Sequence, residues 1–305
     1  MRIAVITPIK HLNLKDLIES KGQVFYCEEA NKEQVRKLIM SESIDTILCN
    51  PNKQTYIIDK DLLIDSNVKL INTCSTGLSH IDIQYCNKNN IEIYSLTKDY
   101  ELINNLPSTS ELAFGLMLDI LRNITESRQH VINHGWDYTK YIGRQIKGLK
   151  VGIIGYGRLG RLMHRYCDAF EARSFIYDPY IDGYNNLLLD EFISKCDVIS
   201  LHVHLNEETK YMINSNSLSK SKSELVIINT SRGAVVKEDD IIEMLNSGAL
   251  GGYATDVLED ENVDIKKSKL INEMNNNNKI LITPHIGGMT IEGQTKAYTW
   301  AINKL

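Results

Sequence analysis

The 305-residue chain is long enough for two domains at roughly 100–200 residues each. Its 34 Lys+Arg against 39 Asp+Glu give a formal charge of −5, so there is no global basic footprint and nucleic acid is excluded as a main partner. Apolar runs such as Ile3–Ile6 and Val226–Ile228 fall far short of the roughly 18 residues of a membrane span, and Met1–Ile6 is too short for a signal-peptide core. A cytoplasmic protein away from the membrane is therefore expected. Six cysteines (Cys27, Cys49, Cys74, Cys86, Cys167, Cys196) form no Cys-x-x-Cys pair, which predicts buried free thiols, a reducing compartment and no zinc knuckle.

In chain order, Ile3–Thr7, Val24–Cys27, Thr46–Cys49, Lys69–Thr73 and Ile91–Leu96 read as strands with helical stretches between most of them. This is the βαβ rhythm of a parallel sheet covered on both faces. An apolar-periodic helix follows at Ser110–Arg122. The rhythm then restarts with Val151–Gly155, Ser174–Tyr177, Val198–His202, Leu225–Asn229, Gly252–Thr255 and Lys279–Thr283. The restart predicts an α/β protein of two parallel-sheet domains with a boundary near residue 100. Asn275–Asn278 reads as a solvated turn.

Val151–Gly160 is an apolar strand running into Gly155-x-Gly157-x-x-Gly160, ahead of a helical pattern over Arg161–Phe170. Gly155 permits a tight turn, Gly157 lets backbone approach a pyrophosphate, and Gly160 lets helix and strand pack closely. The amides around Gly157, Arg158 and Leu159 and the positive helix end supply anion affinity. Asp178 closes the next strand, inside the about 20-residue window where a carboxylate accepts ribose hydroxyls. A 2′-phosphate about 4 Å away would be repelled by about 4 kcal/mol per unit charge at an effective dielectric of 20. The fingerprint therefore predicts NAD over NADP, although adenosylmethionine enzymes also use glycine-rich loops with a following acid.

Three further segments lie just beyond strand ends: Asn229-Thr230-Ser231-Arg232-Gly233, Thr255–Glu261, and Thr283-Pro284-His285-Ile286-Gly287-Gly288. Open α/β sheets bind ligands at these ends. Taken singly, the Arg reads as a surface charge, the Glu as solvated and the His as a turn cap. Together at successive strand ends they predict a converging anion-binding, acid–base site.

With these segments, and with Ser75-Thr76-Gly77-Leu78-Ser79-His80-Ile81-Asp82, Ser108–Ala113, Gly135-Trp136 and Lys147–Lys150, the chain resembles the NAD-dependent D-isomer-specific 2-hydroxyacid dehydrogenases, in particular the phosphoglycerate dehydrogenase-like branch. The resemblance covers nearly the whole sequence. It implies a Rossmann-type NAD-binding domain over residues 101–287, inserted into a flavodoxin-like substrate domain made of residues 1–100 and 288–305. It also implies Arg232 as the substrate arginine, His285 as the catalytic histidine and Glu261 as its paired acid, with Glu261 preferred to Glu259 on family spacing from Asp256. Asp256 and the backbone at Thr230 are implied to hold the nicotinamide carboxamide, His202 and Val203 to stand at the adenine side, and the amides of Thr76, Gly77 and Leu78 to face the substrate carboxylate.

The residue chemistry suits those roles. Reducing a 2-oxo acid needs a hydride at C2, a proton at the carbonyl oxygen and a clamp for the carboxylate. A planar Arg232 can clamp the carboxylate and polarise the carbonyl together. His285 can donate the proton, and a carboxylate beside a histidine favours imidazolium and fixes its tautomer. Formate-oxidising relatives carry Gln in place of the paired Glu, so Glu261 implies a small D-2-hydroxy acid and its 2-oxo acid. Two departures from the family pattern stand out, at His204 and Asn262. His204 replaces a usual Pro, with a metal-ligand role disfavoured for want of a third ligand and no metal expected. Asn262 also replaces a usual Pro, and Trp136 reads equally as a homodimer-arm residue on the NAD-binding domain or as ordinary core. His80 reads as a seam residue that touches substrate or, more commonly, as a solvated surface group. An alternative of another class is an NAD-sensing, corepressor-like binding module without turnover.

Overall fold

The computed structural model describes residues 1–51, 56–184, 187–259, 261 and 265–305. Asp260 and Asn262 lie outside the described residues. Cα packing divides the chain into two compact units, one of Met1–Leu106 with Gly288–Leu305 and one of Pro107–Gly287.

In the first unit, β1 (Arg2–Val5), β2 (Gln23–Tyr26), β3 (Thr46–Cys49), β4 (Leu70–Thr73) and β5 (Glu92–Ser95) form one parallel sheet in the order β2-β1-β3-β4-β5. Successive residues point to opposite faces of a strand. Ala4 and Ile6 accordingly join Val35, Ile39, Ile47 and Ile71 on one side, while Ile3 and Val5 join Ile18, Leu48 and the closing helix Ile291–Asn303 on the other. That helix buries Ala297, Tyr298, Ala301 and Ile302, a stripe at helical spacing, and Thr290 caps its start by accepting Gly293 N–H at 3.1 Å. Asn72 locks the helix to the sheet by donating to the Ala301 carbonyl at 2.8 Å.

In the second unit, β6 (Lys150–Ile154), β7 (Arg173–Tyr177), β8 (Val198–Leu201), β9 (Val226–Asn229), β10 (Gly252–Thr255) and β11 (Ile280–Ile282) form a parallel sheet in the order β11-β10-β9-β8-β6-β7. Strand order reverses at β6, which pairs β7 on one edge and β8 on the other. Ligands of such sheets sit outside the carboxyl ends at this reversal. The helix Ser108–Arg122 covers one face through Ala113, Phe114, Met117 and Leu121. The helix Arg158–Ala169 buries Gly160, Met163 and Cys167 at positions i, i+3 and i+7, so it lies flat against the same face.

Two expectations are corrected here. Trp136 is 91% exposed, which excludes the core-packing reading. His80 is only 2% exposed, so it is no solvated surface group: it stands among polar side chains at the end of β4. Of the six free cysteines only Cys27 is not fully buried. No helix among the described residues is long and apolar enough to cross a membrane.

Candidate active site

β6 stops at Ile154 because the next residue, Gly155, turns at φ +91°, and a Cβ there would lie 2.7 Å from the His202 carbonyl oxygen. Gly160 is constrained from the other side, since a Cβ would lie 2.0 Å from the Gly155 oxygen. Gly157 differs from both. It faces open space and caps the helix Arg158–Ala169 in an extended conformation without a side-chain acceptor. A cradle that lacks side chains where the helix amides begin fits a pyrophosphate. Leu159 is tied down through its carbonyl, which accepts Ser110 Oγ at 2.9 Å. Burial draws the Arg158 guanidinium below its ordinary pKa.

Asp178, just past β7, is nearly buried and accepts two backbone amides: Tyr156 N–H at 2.8 Å and Tyr180 N–H at 3.0 Å. It therefore ties the glycine loop to the neighbouring strand end. Each carboxylate oxygen keeps acceptor capacity for a ribose hydroxyl. The link to Tyr156 escaped sequence reasoning because the partners are 22 residues apart and one of them is a backbone amide. Beyond β8, His202 Nε2 meets Ser200 Oγ at 2.9 Å, and burial pushes its pKa down to about 4, so it is neutral. Val203 packs beside Gly155, whereas His204 is exposed. No group of three His, Cys, Asp or Glu among the described residues could hold a metal.

Arg232 follows β9. Its Nη1 donates to the Ser231 carbonyl at 2.6 Å, and burial lowers its pKa while the Glu261 carboxylate opposes that shift. Thr230 is buried, with its hydroxyl unpartnered among the described residues. His285 Nδ1 stands 3.0 Å from Glu261 Oε1. Glu259 is engaged elsewhere, accepting the Tyr211 hydroxyl through its carboxylate. His285 itself adopts φ +54°, a strained backbone for a non-glycine residue.

Asp256 holds that strained loop. One oxygen accepts Thr283 Oγ1 at 2.5 Å and Ile286 N–H at 2.8 Å, and the other accepts Gly287 N–H at 2.7 Å. Burial raises its pKa, and these three donors pull the other way. Its carboxylate is thus committed to the loop on both sides of His285, a task that the sequence resemblance did not suggest. No local sequence signal announces it, because Asp256 and Gly287 are 31 residues apart. In the other unit, Thr76 is exposed and Gly77 and Leu78 are half-buried in the loop that follows β4.

The sequence profile described as D-isomer specific 2-hydroxyacid dehydrogenase, NAD binding domain, matches residues 114–287. The chain belongs to this family. The dehydrogenase is 29% identical over 315 residues to a hydroxypyruvate reductase of Thermotoga maritima, covering 100% of this chain and 97% of that one. It is 30% identical over 274 residues to a glyoxylate reductase of Thermofilum pendens, covering 86% and 77% of the two chains. Its fold superposes with a TM-score of 0.84 on an NAD-dependent formate dehydrogenase of Staphylococcus aureus solved in complex with NAD, at 25% identity over 100% of this chain and 94% of that one. The dehydrogenase is an NAD-dependent enzyme, and the bare cradle at Gly157 beside Asp178 fits that cofactor.

Proposed function

We propose that the dehydrogenase interconverts a small 2-oxo acid and the D-2-hydroxy acid, with Arg232 as carboxylate clamp and His285 and Glu261 as the acid–base pair. The observation that carries this reading is the 3.0 Å contact of His285 Nδ1 with Glu261 Oε1, which pairs the imidazole with a carboxylate through Nδ1 and assigns proton transfer to Nε2. When bound, NADH supplies the hydride. Imidazolium at His285 gives its Nε2 proton to the carbonyl oxygen as C2 is reduced, and neutral His285 takes it back in oxidation. Glu261 holds the tautomer and stabilises the cation. Arg232 pairs with the carboxylate through a planar fork and draws charge toward the carbonyl oxygen.

Asp256 positions His285 by fixing the loop, and Asp178 offers its remaining acceptors to the adenosine ribose. Thr230 backbone and the His202–Val203 segment line the nicotinamide and adenine sides. The amides of Thr76, Gly77 and Leu78 take the substrate carboxylate. The acid at position 261, in place of glutamine, supports a hydroxy acid over formate. The unit of residues 1–106 and 288–305 serves as the substrate domain, and the unit of residues 107–287 binds NAD. Exposed Ile124, Val131, Trp136, Tyr138 and Ile142 support a homodimer formed through the NAD-binding domain. A monomer by sedimentation at micromolar concentration would contradict that last point.

The test of the chemistry is a comparison of wild type with His285→Ala, each checked for folding by circular dichroism. Loss of about 10²–10⁴ in turnover of glyoxylate or hydroxypyruvate is expected. Turnover unchanged in the variant would remove His285 from the mechanism.

A further inference from the structure

A chain of buried hydroxyls leads from His80 to the loop read above as the substrate-carboxylate site. His80 Nε2 lies 3.0 Å from Thr73 Oγ1, Thr73 Oγ1 lies 2.9 Å from Ser75 Oγ, and Ser75 Oγ lies 2.8 Å from the Gly77 carbonyl oxygen. Proton counting fixes the direction of every link. A carbonyl only accepts, so the single Ser75 proton goes to Gly77; Ser75 must then accept from Thr73, and Thr73, its proton spent, must accept from His80. His80 is therefore the Nε2–H tautomer. This agrees with its other nitrogen, since Nδ1 is buried without a partner among the described residues, which costs less as a bare lone pair than as an orphaned N–H. Burial pulls the imidazole down to about 4, so it is neutral at pH 7.

The backbone around this chain is pinned. Leu96 N–H donates to the Ser75 carbonyl at 3.1 Å, and Ile81 N–H donates to the Leu78 carbonyl at 3.0 Å. What the chain can still change is the polarity of the peptide joining Gly77 to Leu78. Hydrogen bonds in series polarise one another, by about 10–30% per bond. Electron density drawn onto the Gly77 oxygen leaves the Leu78 N–H more positive.

We infer that His80, Thr73 and Ser75 are positioning residues, which hold the Gly77–Leu78 peptide and strengthen the Leu78 amide as a donor to the substrate carboxylate. This rests on the reading of Thr76, Gly77 and Leu78 as carboxylate donors. None of the three side chains touches substrate. Their effect falls on ground-state binding of the carboxylate, so it moves KM and leaves kcat nearly alone.

The test uses the full-length NADH-loaded enzyme, with glyoxylate as substrate and oxamate as non-reacting carboxylate probe. Ser75→Ala should raise the glyoxylate KM and the oxamate Kd by about three- to fivefold, with kcat unchanged. Thr73→Val, which keeps the β-branched shape, should raise both by less, about 1.5- to twofold, because the last link survives. Ser75→Thr keeps a hydroxyl donor and should restore wild-type values. The amide resonance of Leu78 in wild type should shift when oxamate binds. If Leu78 shifts but Ser75→Ala leaves KM and Kd unchanged, or Ser75→Thr is as impaired as Ser75→Ala, the hydroxyl chain does not act as argued, and the loop reading survives. If the Thr76, Gly77 and Leu78 amides do not respond to oxamate, the loop reading fails and the inference falls with it.

Discussion

Replacing Arg232 gives the most quantitative check on the proposed clamp. The guanidinium has five N–H donors, and the contact with the Ser231 carbonyl at 2.6 Å uses one on Nη1. A two-pronged bond to a carboxylate is therefore still available. Hydrogen bonds to charged groups are worth about 1.5–3 kcal/mol each, so loss of two in Arg232→Ala costs about 3–6 kcal/mol, or about 10²–10⁴ in kcat/KM. Glu261 shares the field of this cation, as its opposing effect on the Arg232 pKa shows. Arg232→Lys keeps the charge but loses one prong and should cost about 10–10². The assay is the initial rate of NADH oxidation with glyoxylate or hydroxypyruvate, alongside the NADH Kd by fluorescence, which should stay within about threefold of wild type. Arg232→Ala retaining kcat/KM within about threefold would refute the clamp, as would Lys and Ala variants of equal activity.

Glycine substitutions separate fold from cofactor binding. Gly157→Ala adds a methyl into open space, so melting should be unchanged while NADH Kd rises at least about tenfold; Gly160→Ala meets the Gly155 oxygen at 2.0 Å and should lower the melting temperature as well. Equal melting temperatures for the two variants would contradict this. Asp256→Ala strands Thr283 Oγ1 and the amides of Ile286 and Gly287, at a cost on the order of 3 kcal/mol, which predicts a fall of about 6–12 °C in the melting temperature of a unit this size. Its kcat should fall as the His285 loop relaxes, and an unchanged melting curve with wild-type kcat would reject the loop-holding role. Stability should also depend on pH between about 6.5 and 4. His80 and His202 have pKa values near 4 in the folded protein against 6.5 when free, so the unfolded chain binds more protons throughout this window and acid destabilises both units. The loss is on the order of 2 kcal/mol per histidine between pH 7 and 5. Urea midpoints that stay flat between pH 7 and 5 would contradict the buried neutral state of both residues.

Much of the fold was legible because β-branched runs and strand-end motifs are local signals. The runs at Thr46–Cys49 and Val226–Asn229 are buried on both faces, as expected of central parallel strands, and Gly155, Gly157 and Gly160 each occupy a position whose geometry follows from the motif. Arg232, Glu261 and His285 were legible as residue types at strand ends, and the contact between Glu261 and His285 needed the structure. What was not legible is long-range. An exposed tryptophan and a buried one look alike in sequence, so Trp136 was ambiguous until its exposure was seen. The burial of His80 depends on Thr73 and Cys49 from separate strands, and the engagement of Asp256 depends on amides about thirty residues onward. Backbone donors have no side-chain signature, which also hid the tie between Asp178 and Tyr156.

Hydride transfer between NADH and a small 2-oxo acid at the proposed His–Glu–Arg site can be read out in a single assay. Purified enzyme with NADH is offered glyoxylate, pyruvate, hydroxypyruvate and longer 2-oxo acids, absorbance is followed at saturating cofactor, and the chiral products are resolved. Turnover is expected with at least one of them, with stoichiometric formation of the D-2-hydroxy acid from any substrate that gives a chiral product, and with NADPH used far less well than NADH. Tight NADH binding with no turnover across the panel, or formation of the L-isomer, would contradict the proposed reaction.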